Sequence, residues 1–200
     1  MKRFFRSRVS TFVALALLVP ALSGCVGAVV GAGAAAGIAA MEERGIDGKA
    51  KDTRIAANIL GAYVQKNHQL ATAIGVEVYE GRVLLTGAVP DATLRADAVR
   101  LAWGVEGVTE VFNEVQDLDA SLLDSAKDSW ISTQLATKLT FDKDVLSINY
   151  EIETVSAIVY LLGIAQNQAE LDRVMAHARD IDGVRKIISH VRIKQVSAQK

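Results

Sequence analysis

Cysteine is almost missing from this chain. Cys25 is the only one in 200 residues, which excludes an internal disulfide and leaves no second thiol for a redox pair. Histidine is nearly as scarce. His68, His177 and His190 are scattered, none at the H-E-x-x-H spacing that sets two metal ligands on one helix face. Charge of one sign is not in excess either, with 22 basic and 23 acidic residues, so the footprint of a nucleic-acid binder is absent. The carboxylates are dispersed rather than paired, which gives no sign of an acid–base couple. These absences predict a protein without catalysis, metal, cofactor or nucleic-acid partner.

What is present begins at the N-terminus. Lys2, Arg3, Arg6 and Arg8 form a basic head, Val9 to Leu22 an uncharged apolar stretch, and Leu22-Ser23-Gly24-Cys25 a small-residue end. That order is a secretion signal, and its end resembles the lipobox of bacterial lipoproteins. The resemblance implies diacylglycerol on the Cys25 thiol, cleavage before it and N-acylation of the new amine. Several acyl chains hold firmly where one holds only marginally. Val26 stands where the family's inner-membrane retention signal has Asp, which implies a periplasm-facing position on the outer membrane. Loss of the signal removes four basic and no acidic residues and takes the net charge from −1 to −5.

Residues 25–51 read as a lipidated tether and linker: Val26 to Met41 is almost wholly Gly, Ala and Val, and Glu42 to Lys51 is polar. Gly31, Gly33 and Gly37 superficially suggest a dinucleotide loop, but no βαβ context surrounds them. A pliant spacer and a small-xxx-small packing stripe both fit.

The rest of the chain is a duplication. A shift of 76 residues lays Asp52–Leu118 on Asp128–Lys194 without a gap, with Asp52/Asp128, Ile55/Ile131, Leu70/Leu146, Val83/Val159, Leu85/Leu161, Gly87/Gly163, Gly107/Gly183, Val108/Val184 and Val115/Val191 identical. In the first copy Ile55, Ile59 and Tyr63 recur every four residues, a helix with one buried stripe, and Asp52 is placed to cap its start. Val76 and Val78 alternate with Glu77, and Glu80-Gly81 turns the chain into Val83-Leu84-Leu85, a hairpin. Pro90-Asp91 opens a second helix carrying Leu94, Ala98, Leu101, Ala102 and Val105. Val108, Val111 and Val115 mark a third strand. The second copy has Ser156-Ala157 in place of the Glu-Gly turn, which makes its bend the weakest element.

Two α-β-β-α-β units, with Tyr79-Glu80-Gly81-Arg82-Val83-Leu84-Leu85-Thr86-Gly87 and Gly104-Val105-Glu106-Gly107-Val108 in the first, resemble the BON domain. Behind a lipobox they resemble the dual-BON outer-membrane lipoproteins. The pattern departs at Ser189, opposite Asn113, and at the second turn. The resemblance implies an α+β fold of two tandem α-β-β-α-β domains, each a three-stranded mixed sheet packed by two helices, and phospholipid binding that maintains the envelope without catalysis. The expected divisions are signal 1–24, tether and linker 25–51, domain one 52–119, linker 120–127, domain two 128–195 and tail 196–200.

The two copies control for each other, because shared positions are expected in the core while divergent ones are free to carry function. At about 100° per residue Ile131, Leu135 and Leu139 form the core stripe of the second copy's first helix, with Trp130 and Phe141 away from it. Arg54 and Gln65 stand at those places in the first copy. Trp suits a bilayer interface. Thr133, Gln134 and Thr137 lie around the same side, and Lys138 is placed to reach an anionic phosphate. The other readings put Trp130 in the seam between the copies and fold Phe141 into the core. Copy one carries −4 and copy two −1, much of the difference at Arg185, Lys186, Arg192 and Lys194. Trp103 lies off the core stripe and is expected in the inter-copy seam; His177, replacing Leu101, reads as a partly buried residue rather than a base.

Two functions follow as expectations. The first is recognition of an anionic phospholipid membrane by domain two, through Trp130, Thr133, Gln134, Thr137, Lys138 and Phe141, with Cys25 as the anchor. The second is a protein adaptor whose aromatics meet an outer-membrane or periplasmic partner. Oligomeric state is not legible.

Overall fold

The computed structural model describes residues 41–118 and 124–195. The signal, Cys25, the glycine-rich stretch and the C-terminal tail fall outside the described residues. Domain one runs α1 (Gly45–Lys66), α2 (His68–Ala73), β1 (Ile74–Tyr79), β2 (Arg82–Val89), α3 (Ala92–Trp103), β3 (Glu110–Asn113), β4 (Gln116–Asp117). Domain two runs α4 (Ser125–Phe141), a 3-10 turn (Ser147–Asn149), β5 (Tyr150–Val155), β6 (Ile158–Ala165), α5 (Gln168–Arg179), β7 (Lys186–Ile193).

In both domains the hairpin strands pair antiparallel and the last strand adds in parallel to the second. A parallel addition needs a crossover, which α3 and α5 supply. The architecture is α+β with two mixed sheets, as the repeat implies. The first sheet gains a fourth, two-residue strand because β4 pairs with the far end of β2. The buried stripes are those of the periodicity: Ile55, Ile59 and Tyr63 on α1, and Ile131, Leu135 and Leu139 on α4.

Asp52 does not cap a helix. α1 starts at Gly45, inside the expected linker, and α4 at Ser125 with Asp124 as its cap, accepting from the Lys127 N–H. Asp52 and Asp128 are buried about two turns and one turn further on and clamp the hairpin turns instead. Asp52 accepts from the backbone N–H groups of Glu80 and Gly81 at 2.8 and 2.9 Å, and Asp128 from those of Ser156 and Ala157, both at 2.8 Å. Both turns hold their central residues at positive φ, 53° and 72° in the first and 52° and 60° in the second, the type I′ geometry of a two-residue hairpin. The bend that lacks glycine therefore forms all the same, because a buried carboxylate binds its two N–H groups.

Gly87 and Gly163 repeat for a different reason. A Cβ on either would lie 2.0 Å from the backbone oxygen of Ala73 or Asn149, where β2 and β6 meet the chain entering the sheet. Leu70 and Leu146 do not share a role despite their identity. Leu70 is fully buried on α2, whereas Leu146 is 44% exposed and Val145 fills the core at 6%. The loop of domain two runs through a 3-10 turn rather than a helix, which displaces the side chain.

The uncovered sheet faces pack on each other. Tyr79, Leu84, Tyr160 and Leu162 form a cluster between them, bordered by Phe112 and Ile188 among others. Arg82 is wholly buried here, donating to the carbonyls of His190 and Gly163 at 2.8 Å each. At one rim His190 stacks on Phe112 and meets Glu114 at 2.9 Å. At the other, Arg44 lies 4.3 Å over the Tyr79 ring and reaches Glu42, Asp52 and Glu151.

Glu77 on β1 is partly buried at that rim. Burial, then the negative charges of Glu151 and Glu153, push its carboxyl up to about 7, with Lys49 and Arg44 opposing. The Glu153 carboxyl is raised in the same direction by burial and by Asp128. A carboxyl raised in the folded state contributes stability that is complete below its unfolded pKa and is lost as pH rises through the folded one. The wild-type melting temperature should therefore fall between about pH 4.5 and 7. Glu77→Gln, which has no charge to desolvate, should flatten that slope and melt higher at pH 8; identical thermal profiles for the two proteins would refute the assignment.

Candidate membrane-contact surface

The outer face of α4 carries the residues singled out in the sequence. Three core side chains spaced by four turn one side of this helix inward, and Thr133, Ala136 and Thr137 between them face water. Trp130 is 47% and Phe141 81% exposed. Neither lies in the seam or the core. They stand eleven residues apart on one side of the helix, about 16 Å along its axis, with Thr133 and Thr137 exposed between them and Gln134 half-buried at the edge. Phe141 is the last helical residue.

The threonine hydroxyls are bonded within the helix. The Thr133 hydroxyl donates to the Ser129 carbonyl and that of Thr137 to the Thr133 carbonyl, both at 2.8 Å. A hydroxyl bonded back to its own helix has its donor satisfied, which leaves its methyl group to face outward. The stripe is accordingly less polar than its composition implies, and covering it with apolar material strands neither threonine's donor.

Lys138 is half-buried and donates to Asp180 at 2.5 Å. The Asp180 carboxyl is lowered by that bond, and its side chain is 75% exposed. An exposed pair of this kind stabilises little, so Lys138 can exchange Asp180 for another anion at small cost. Beyond the helix end a shallow groove of about 640 Å³ is lined by Thr137, Lys138, Phe141, Asp142, Lys143, Asp144 and His177. His177 meets Asp142 at 2.7 Å; that bond first, and then the Asp144 N–H, hold the Asp142 carboxyl below its ordinary value. His177 is thus a partly exposed structural partner, as its place opposite Leu101 implies.

One sequence expectation fails. Trp103 is 52% exposed and lies outside the seam, because it ends α3 on the side away from the opposing sheet. The basic residues near the last strand are not all free for an anionic surface. Arg192 pairs with Glu110 and Lys194 with Glu43, both across the seam, while Arg185 and Lys186 form no ion pair among the described residues. Exposed apolar side chains also occur on domain one, at Leu60, Val64 and Trp103. What separates α4 is the alignment of two aromatics on one helix face.

No group of three or more His, Cys, Asp or Glu that could hold a metal occurs among the described residues, and no helix among them is long and apolar enough to cross a membrane. A second cleft, of about 410 Å³, lies on domain one between Lys51, Arg54, Glu80 and Glu106, where charges of both signs leave no net preference.

Two α-β-β-α-β units with clamped hairpins and helix-covered mixed sheets define a class, and residues 51–116 and 127–195 both match the BON domain. The chain belongs to the BON-domain family. It is 36% identical over 181 residues to the outer membrane lipoprotein DolP of Haemophilus influenzae, covering 87% of this chain and 92% of that protein. It is also 32% identical over 146 residues to the osmotically-inducible protein Y of Escherichia coli, 72% and 73% of the two chains. A third relative, the "Uncharacterized protein in gshII 5′region" of Anaplasma centrale, is 43% identical over 129 residues, 64% of this chain and 85% of that one.

Proposed function

We propose that this is a non-catalytic outer-membrane lipoprotein, anchored through acyl chains on Cys25, whose second BON domain binds anionic phospholipid with the outer face of α4 and thereby supports envelope integrity. The observation that carries the reading is the exposure of Trp130 and Phe141 on one face of α4, where α1 has Arg54 and Gln65. Laid along a bilayer surface, that face brings two aromatic rings to the headgroup level, while Lys138 lies beside them for a phosphate oxygen. The similarity to a relative named as an outer membrane lipoprotein supports the location.

Flotation of the soluble form, lacking Cys25, with anionic vesicles tests the recognition separately from the anchor. Trp130→Glu should weaken vesicle binding about tenfold or more, the scale set by losing an aromatic's burial and adding a charge that the surface repels. Circular dichroism establishes that both proteins are folded. Equal flotation of the two removes Trp130 from the site. No flotation of the wild type at physiological salt turns the reading to a protein adaptor.

A further inference from the structure

The chain just ahead of α1 is bound to the other domain. The backbone N–H of Glu43 donates to Asn149 Oδ1 at 2.9 Å, and the Glu43 carboxylate accepts from Lys194 at 2.8 Å and Gln166 at 3.0 Å. The Lys194 bond, assisted by Gln166, holds that carboxyl below its ordinary value. Arg44 follows and ties the Val78 carbonyl of domain one to the Glu151 carboxylate of domain two, at 2.8 and 2.6 Å. This strap crosses the seam and leads the chain out at one end of domain two.

That end is apolar. Asn149, which receives Glu43, donates its own N–H to the Leu146 carbonyl at 2.9 Å, so strap and Leu146 loop share one anchoring residue. Met41 is 75%, Phe141 81% and Leu146 44% exposed. Leu146 is exposed although its counterpart Leu70 is fully buried. The fifteen residues 26–40, which join Cys25 to Met41, carry no charge and at full extension reach about 50 Å.

Resting on the membrane reading above, we propose that the strap sets the exit of the lipid tether at the Phe141–Leu146 end of domain two, so that bilayer contact runs past the end of α4 onto Leu146 and Met41. The occupant is the bilayer because the chain arriving at this end is uncharged, apolar and, on that reading, lipid-anchored. A flexible spacer leaving at a free end would let either domain face the surface. A tether held here brings the same three side chains down each time.

The test uses the full lipidated chain in anionic vesicles. Its own cysteine is consumed by lipid, so Met41→Cys, Leu146→Cys and, as a control, Trp103→Cys each offer one thiol for an environment-sensitive fluorophore. Probes at 41 and 146 should shift to the blue and lose emission to brominated lipid, while the probe at 103 does neither. Glu43→Lys, which sets a cation against Lys194, should reduce the shift at 146 in otherwise bound protein. Water-like emission at 41 and 146, with tryptophan fluorescence quenched in the Trp103→Cys protein, where Trp130 is the sole tryptophan, overturns the extension and leaves the α4 reading standing; absence of that quenching as well removes both.

Discussion

Arg44→Ala is expected to cost about 3–5 kcal/mol of folding stability, the scale for removing one partner from a buried ionic network. Its guanidinium is 1% exposed and meets carboxylates of Glu42, Asp52 and Glu151, as well as the Val78 carbonyl. Burial alone would lower its pKa; the bonds and charges of Glu42, Glu151 and Asp52 outweigh that and raise it. Without the cation, the Glu42 and Asp52 side chains, 7% and 5% exposed, lose their nearest counter-charge, with only Lys49 left near Glu42 at 3.6 Å. Urea denaturation reads the loss. Arg44→Lys should recover only part of it, because an ammonium lacks the planar fork that serves several acceptors at once. A midpoint unchanged in Arg44→Ala would show that the network contributes nothing.

Asp128→Ala should be comparably damaging in domain two. Two hydrogen bonds to a carboxylate, each about 1.5–3 kcal/mol, are lost, and the turn they hold has Ser156 and Ala157 at positive φ, a conformation costing about 1–2 kcal/mol per non-glycine residue. Ala157→Gly relieves part of that cost and should raise stability in the wild-type background by about 1 kcal/mol. In Asp128→Ala the same glycine should recover a similar amount, since it acts on the backbone and not on the missing bonds. Paired denaturation curves for the four proteins decide the matter. A destabilisation of Asp128→Ala abolished by Ala157→Gly would mean that the carboxylate serves only to hold the strained turn.

The fold was largely legible because each copy repeats its apolar spacing. Ile55, Ile59 and Tyr63 on α1 and the alternation around Glu77 mark elements whose apolar side is the buried one. The Asp52/Asp128 identity was visible as well, but its meaning was not, since a carboxylate placed ahead of an apolar stripe looks the same whether it caps the helix or reaches 28 residues onward to a turn. The seam left a signal that alternation alone overlooks. Val83-Leu84-Leu85 and Val159-Tyr160-Leu161-Leu162 are apolar at both parities, the mark of strands covered on both faces. Trp103, placed in the seam from its helical angle, instead faces water, because helical angle states which way a residue points and not what stands there.

The candidate surface divides in the same way. The aromatic asymmetry between Trp130 and Arg54, and between Phe141 and Gln65, is a property of the sequence, and the structure adds how far each ring is exposed. The inward turn of the threonine hydroxyls, the pairing of Lys194 with Glu43 and the exposure of Leu146 depend on neighbours distant in the chain. The duplication, the order of the main elements, both helical core stripes and a lipobox-like motif ending in Cys25 could be read from the chain alone, because each rests on local spacing. The tertiary structure decided that two sheets close on each other, that Arg44 and Arg82 are buried between them and that the chain leaving the tether is strapped to domain two. Those contacts join residues about a hundred positions apart, and no local pattern of apolar and polar residues encodes which of them meet.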